Sequence, residues 1–250
     1  MRLSIDSKAR VKLSNLSRGG KDRRQHAPQA DDHDTQWQGT ALPFDILNLQ
    51  ADEVSLYFGE SAETSDFIVD CLEHWWATHQ ARYATIKTLA IDLDGGSATR
   101  SNRTQFIKRM VAFSRHSGLS FQLIYYPPYH SKHNPIERCW AALEQFWNVA
   151  ILDSVETVLQ WASNLRWKGA QPLVEHIQQV YETGVSVDAN PRDLSRGLAS
   201  FRGLAPMGHY HWPMKVGKLF KCKAHIGGNG LGIATEKSKT RCKEPSSKPI

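Results

Sequence analysis

At 250 residues, with 40% hydrophobic residues and eight tryptophans, the chain is long enough to bury one substantial core with a small appendage. It has no apolar run of about 18 residues, which argues against a membrane span; the opening Met1-Arg2-Leu3-Ser4-Ile5-Asp6 lacks the apolar stretch of a signal peptide, so the cytoplasm is the expected location. The net charge of +6 suggests an anionic partner, yet residues 215–250 alone hold nine Lys/Arg against two Glu, which leaves the rest of the chain close to neutral.

Two basic patches remain in the body. Residues 1–24 carry eight basic and two acidic side chains, and Arg100, Arg103, Lys108, Arg109 and Arg115 form a second cluster. Both are better evidence for phosphate contact than the overall charge, with solvated surface charge as the competing reading. The cysteines, Cys71, Cys139, Cys222 and Cys242, form no CxxC pair, which speaks against zinc. Cys71 and Cys139 fall on helical patterns and read as buried thiols.

Leu3-Ser4-Ile5-Asp6 reads as the end of a short strand, imperfectly paired because almost nothing precedes it. A polar stretch follows through Gly19-Gly20 and Asp31-Asp32-His33-Asp34. Residues 43–49 and 54–58 alternate as the two strands of a hairpin. Thr64 or Ser65 can cap a helix through Phe67, Ile68, Cys71, Leu72, Trp75 and Trp76, and that spacing makes the tryptophan pair core packing. Residues 88–94 form a buried-looking strand ended by Gly95-Gly96. A helix with Phe106, Ile107, Met110, Val111 and Phe113 on its apolar side then ends at Gly118. After a strand over 121–126, Asn134 and Pro135 read as the cap and first residue of a helix carrying Ile136, Trp140, Leu143 and Trp147. Further helices are expected around 154–164 and 171–183. The order predicts an α/β domain with a mixed sheet, antiparallel at the hairpin and parallel afterward.

Three carboxylates stand out in this frame. Asp6 ends the first strand, Asp94 ends a central strand, and Glu137 lies in the first turn of a helix. Hard divalent ions such as Mg²⁺ take oxygen ligands, and two of them can activate the attacking oxygen and stabilise the leaving oxygen of an in-line displacement. Acidic groups brought from distant sequence to one sheet edge suit that use. The plainer readings are a turn former for each Asp and a dipole-stabilising residue for Glu137. Asp92 competes with Asp94, since residues two apart share a strand face; the glycine turn after Asp94 favours Asp94.

The wording of the motifs adds to this. Ser4-Ile5-Asp6-Ser7-Lys8 with Asn15 and Gly19-Gly20, then His33-Asp34, then Asp94-Gly95-Gly96-Ser97 with Arg100-Ser101-Asn102-Arg103, and finally Pro127-Pro128-Tyr129-His130-Ser131-Lys132-His133-Asn134-Pro135-Ile136-Glu137 occur in order over roughly residues 3–183. The chain resembles DDE insertion-sequence transposases of the Rhodopirellula-type family, within the mariner-like superfamily. The resemblance implies a ribonuclease-H-like mixed sheet flanked by helices, with Asp6, Asp94 and Glu137 as catalytic and metal-binding triad. It further implies two Mg²⁺ or Mn²⁺ ions per site, cleavage of a DNA strand at an element end, and strand transfer into a target. The partners so implied are double-stranded DNA and further copies of the chain, as a dimer or larger assembly on paired ends in the bacterial nucleoid. Lys132, His130, Arg100 and Arg103 are the candidate DNA contacts; Ser131 lies on the same approach, and Asn134 reads as a plain helix cap.

The domain expectation is a catalytic domain over 1–184, an irregular extension over 185–214 and a basic, disordered tail over 215–250. Relatives of this kind ordinarily carry a helix-turn-helix region ahead of the first catalytic strand, so a truncated product with uncertain activity is expected. The alternatives are an inactive DNA-binding remnant and a ribonuclease-H-like nuclease.

Overall fold

The computed structural model of the chain describes residues 1–21, 23, 25–26, 29–33, 37–126 and 134–185, together with the backbone of Phe220–Cys222. The strand that carries Asp6, β1 (Arg2–Ser7), lies in the interior of the sheet and not at a loosely paired end. It pairs antiparallel with β3 (Gly39–Asn48) from Leu3↔Asn48 to Ser7↔Phe44, and parallel with β5 (Thr88–Leu93) from Arg2↔Ala90 to Ser4↔Asp92. The expectation of a short, imperfectly paired first strand is corrected here: two neighbours take up its backbone groups, so it needs no preceding residues to hold it.

The hairpin is as expected, with β3 antiparallel to β4 (Glu53–Gly59) from Leu42↔Gly59 to Asn48↔Glu53. On the other side of β1, β5 runs parallel to β6 (Ser120–Tyr125), with helix α2 (Thr104–Ser117) as the crossover. Among the described residues, with β7 (Leu173–Ile177) and β8 (Phe220–Cys222), the order is β7-β4-β3-β1-β5-β6-β8, and β2 (Val11–Leu13) lies off this path against β3. The expected mixed sheet flanked by helices is the architecture found.

Alternation along the central strands explains the layers. Leu3 and Ile5 of β1, with Phe44 and Ile46 of β3, face α1 (Ser65–His79) and α2, where Phe67, Trp75, Phe106 and Phe113 fill the core. Ala41 and Leu47 of β3, with Leu56 and Phe58 of β4, face α3 (Glu137–Trp147) and α4 (Val155–Asn164) through Trp140, Leu143, Trp147 and Val158. Strands buried on both faces read as nearly unbroken apolar runs, as β4 does. Cys71 and Cys139 are buried free thiols, one in each core.

Three further expectations change. Residues 173–177 form a strand, β7 (Leu173–Ile177), parallel to β4 from Ser55↔Leu173 to Gly59↔Ile177. The apolar spacing Leu173, Ile177, Tyr181 mimics a helix, but the open edge of β4 takes the segment as a sheet neighbour. Asn134 does not cap α3: the cap position is Ile136, with no side-chain cap bond, and Glu137 is the first helical residue. Within the expected tail, β8 (Phe220–Cys222) pairs antiparallel with β6; residues 186–219 and 223–250 lie outside the described residues. Among the described residues no helix is long and apolar enough to cross a membrane.

Candidate active site

Asp6 reaches the sheet edge as the penultimate residue of β1, and its Oδ1 accepts the Ser7 amide at 2.9 Å. Extending the β1–β5 register by two residues sets Asp94 beside it, one residue past the end of β5. The Asp94 side chain is fixed by its own turn: Oδ1 accepts the Gly96 amide at 3.1 Å. A Cβ on Gly96 would lie 3.1 Å from that oxygen, so glycine lets the carboxylate settle against bare backbone. Thr99 Oγ1 donates to the Asp94 carbonyl at 3.0 Å, Tyr125 Oη to the Thr99 carbonyl at 2.8 Å, and Ser65 Oγ to the Ala98 carbonyl at 2.7 Å. The loop bearing Asp94 is thus tied to β6 and to the start of α1.

Asp92, the competitor, is spent elsewhere. It is fully buried, with Arg2 Nε 3.0 Å from each of its oxygens and Tyr126 Oη 3.3 Å from Oδ2. An anion held by a forked guanidinium has a structural role, which leaves Asp94 as the carboxylate open at the edge.

Glu137 is brought in by a clamp between β1 and the start of α3. Ser4 Oγ donates to Asn134 Oδ1 and accepts the Ile136 amide at 3.3 Å, while Asn134 Nδ2 donates to the Ile5 carbonyl at 3.2 Å. Ser4 and Asn134 are both buried. Asn134 therefore stitches the strand of Asp6 to the helix of Glu137, a role that helix-cap reasoning misses, since its partners lie about 130 residues away.

The three carboxylates act on one another. Asp6 is pushed up to about 7, first by burial and then by the negative charges of Asp94 and Glu137, against the lowering effect of the Ser7 amide. Glu63, exposed just ahead of α1, adds a further, smaller push and lines the same cleft. That cleft, of about 230 Å³, has Asp6, Ser7, Asp94 and Ser97 around an apolar floor; Glu137 acts on Asp6 without lining it. The sequence reading missed Glu63, because a lone acid before a helix cap carries no signal of its own.

A fifth carboxylate stands directly opposite Asp6 in the β1–β3 register. Asp45 is fully buried, neither oxygen has a hydrogen-bond partner among the described residues, and burial drives its pKa far above the ordinary carboxylate range. Burial thus disfavours the charged form of Asp45, and the carboxylates gathered at the edge are Asp6, Asp94, Glu137 and Glu63.

This donor set fits a hard divalent cation, since it consists of oxygen ligands whose mutual repulsion such an ion would relieve. Among the described residues no three His, Cys, Asp or Glu side chains are already gathered tightly enough to hold an ion. The site is assembled in charge and placement without being closed.

Of the candidate DNA contacts, Arg100 and Arg103 are exposed on the loop that leads from Asp94 into α2. Lys132, His130, Ser131 and Asp34 lie outside the described residues, and His33 is exposed. Arg109, read as part of the same basic cluster, instead turns inward to Asp66, Asp70 and Glu73 of α1. A partly buried run of acids on the neighbouring helix claims it.

The family model described as the Rhodopirellula transposase DDE domain matches residues 1–196. The Mos1 transposase paired-end complex with left transposon end is similar at a TM-score of 0.48 and 10% identity, over 64% of this chain and 46% of that one. A simian T-cell lymphotropic virus intasome is similar at 0.42 and 14% identity, over 69% of this chain and 51% of that one. The chain spans about half the length of these solved structures. No curated protein matches the sequence.

Proposed function

The chain belongs to the Rhodopirellula transposase DDE domain family, and from that premise we propose that residues 1–184 form a catalytic domain that cuts and joins DNA strands with Asp6, Asp94 and Glu137. The observation that carries this reading is the convergence of Asp94 and Glu137, two carboxylates from other elements, on Asp6 at one strand end, where burial first and then their charges raise Asp6 to about 7. Asp6, Asp94 and Glu137 would be the residues that hold divalent ions here. Divalent ions bound there would supply Lewis-acid activation of the attacking oxygen and stabilisation of the leaving oxygen.

The chain's own groups position the DNA. The locked Asp94 loop and the Ser4–Asn134 clamp keep the carboxylates in place, so that little reorganisation is needed at the moment of reaction. In the first step a water oxygen forms a bond to the scissile phosphorus, the bond to the 3′ oxygen breaks, and a 3′-hydroxyl and a 5′-phosphate result. In the second step that 3′-hydroxyl attacks a target phosphodiester and displaces its 3′ oxygen. Arg100 and Arg103, exposed on the segment between Asp94 and α2, would hold phosphates flanking this point.

The test is incubation of supercoiled plasmid and labelled element-end duplex with the full chain in Mg²⁺ or Mn²⁺. Nicking that disappears in EDTA and in Asp94→Asn supports the reading, and joined strand-transfer product identifies transposition. Hydrolysis without joining would favour a nuclease. Metal-independent nicking, or nicking that survives Asp94→Asn, would overturn the site.

A further inference from the structure

A second concavity begins where the carboxylate site ends. The chain leaving Asp6 carries Lys8, Arg10 and Lys12, and together with Arg18 these line a groove of about 300 Å³ whose opposite wall is the Trp140 and Trp147 face of α3. The segment that leaves β1 and the helix α3 run past both places: Asp6 and Lys8 are two residues apart, while Glu137, Trp140, Glu144 and Trp147 follow one another along α3. The groove therefore continues from the carboxylates along the helix.

Its chemistry is that of an anion track with an aromatic station. Arg10 is oriented by bonds from its guanidinium to Thr40 Oγ1 at 3.0 Å and to the Ser61 carbonyl. Trp37 stands outside the groove's lining and adjoins it through Lys12, whose ammonium lies 4.3 Å from the centre of the indole; Trp37 is 52% exposed, an unusual place for a large indole. At the end nearer the carboxylates Lys8 is bridged to Glu144 at 3.0 Å, both side chains partly exposed. Such a pair adds little stability and exchanges readily for a stronger anion. The Trp140 and Trp147 indole nitrogens and Arg18 Nε, all from groove-lining residues, are buried donors with no acceptor among the described residues.

We infer that this groove is a binding track for single-stranded DNA leading away from the scissile phosphate, with phosphates held by Lys8, Arg10 and Arg18 and an unpaired base stacked on Trp37. Backbone-tracking cations interleaved with an exposed aromatic are how proteins hold single strands, because every base offers a π-face. A duplex hides its base faces from such a ring. Glu144 is a gate on this track: it occupies Lys8 until a phosphate replaces it. The inference rests on the catalytic reading for its substrate but not for its measurement.

The experiment is fluorescence anisotropy of a labelled single-stranded oligonucleotide and of the matching duplex with the full chain in EDTA, where cleavage plays no part. Glu144→Gln is expected to bind the single strand about threefold more tightly, since Lys8 is released. Trp37→Ala is expected to bind it about tenfold more weakly, the loss of one base stack, with duplex affinity unchanged. Unchanged single-strand affinity in Glu144→Gln overturns the track, as does an equal loss on single strand and duplex in Trp37→Ala. If these shifts occur while metal-dependent nicking is absent, the catalytic reading fails and the track stands; nicking without these shifts is the reverse.

Discussion

The Ser4 hydroxyl donates to the Asn134 side-chain carbonyl, across the boundary between the strand of Asp6 and the helix of Glu137. Asn134 also serves the Ile5 carbonyl, and Ser4 accepts the Ile136 amide, so every polar group of this small buried knot has a partner. Asn134→Ala removes the acceptor of the Ser4 hydroxyl and the side-chain donor to the Ile5 carbonyl and should destabilise the chain by about 2 kcal/mol. Urea unfolding measures that loss. Nicking, measured where the variant is fully folded, should fall further than the folded fraction, because Glu137 is no longer registered against Asp6. A nicking rate that simply tracks the folded fraction would show the clamp to be structural alone.

Asp92, in β5, and Asp94, just past its end, differ in what surrounds them, which makes them a matched pair for substitution. Asp92→Asn weakens the forked contact with Arg2 inside the protein and should cost about 2 kcal/mol, with nicking retained in the folded fraction. Asp94→Asn sits at the open edge and should leave the urea midpoint unchanged or raised while abolishing nicking. The reverse pattern would reassign the catalytic carboxylate to Asp92.

The same pair shows what was legible from residues alone. Period-two alternation and the Gly95-Gly96 stop located the strand end and favoured Asp94, and the Thr64 cap and Gly118 stop of the flanking helices were equally local. Thr64 Oγ1 accepts the Phe67 amide at 3.2 Å, and Gly118 has φ 70°. What escaped depends on partners distant in sequence. The three residues of β2 are too few to show a period and exist because β3 pairs with them. β7 is half-buried along its whole length, so burial leaves no alternation to find. The attachment of Arg109 to α1 and of Asn134 to β1 are decided by tertiary contacts that propensity does not encode.

Gly20 supplies a prediction of a different kind. Its amide donates to the Asn148 carbonyl at 2.9 Å, and a Cβ there would lie 2.3 Å from that oxygen and 2.4 Å from its carbon. Backbone at the end of α3 cannot turn aside as a flexible side chain would. Gly20→Ala should therefore push the segment after β2 off α3 and destabilise the chain by about 1–3 kcal/mol. A urea midpoint equal to that of the unsubstituted chain would show that the segment is free to move away.

Asp6 makes stability depend on pH in a direction opposite to that of a salt-bridged carboxylate. Its value is raised from 3.8 to about 7 in the folded chain, so between those limits the folded state binds more protons than the unfolded one. Stability from this group is complete below about 4 and is lost as pH rises through about 7, each pH step of one between those limits removing roughly 1.4 kcal/mol. Asp45 is shifted the same way, and its neighbour's charge contributes to that rise. In EDTA the thermal midpoint should therefore fall between pH 5 and pH 8, and Asp6→Asn should flatten the fall. Mg²⁺ favours the ionised carboxylates, so its stabilising effect should be larger at pH 8 than at pH 5. Thermal melts by circular dichroism at both pH values, with and without Mg²⁺, decide the matter. A pH slope as steep in Asp6→Asn as in the parent would mean that another group sets it, and that Asp6 is not the point on which the edge charges converge.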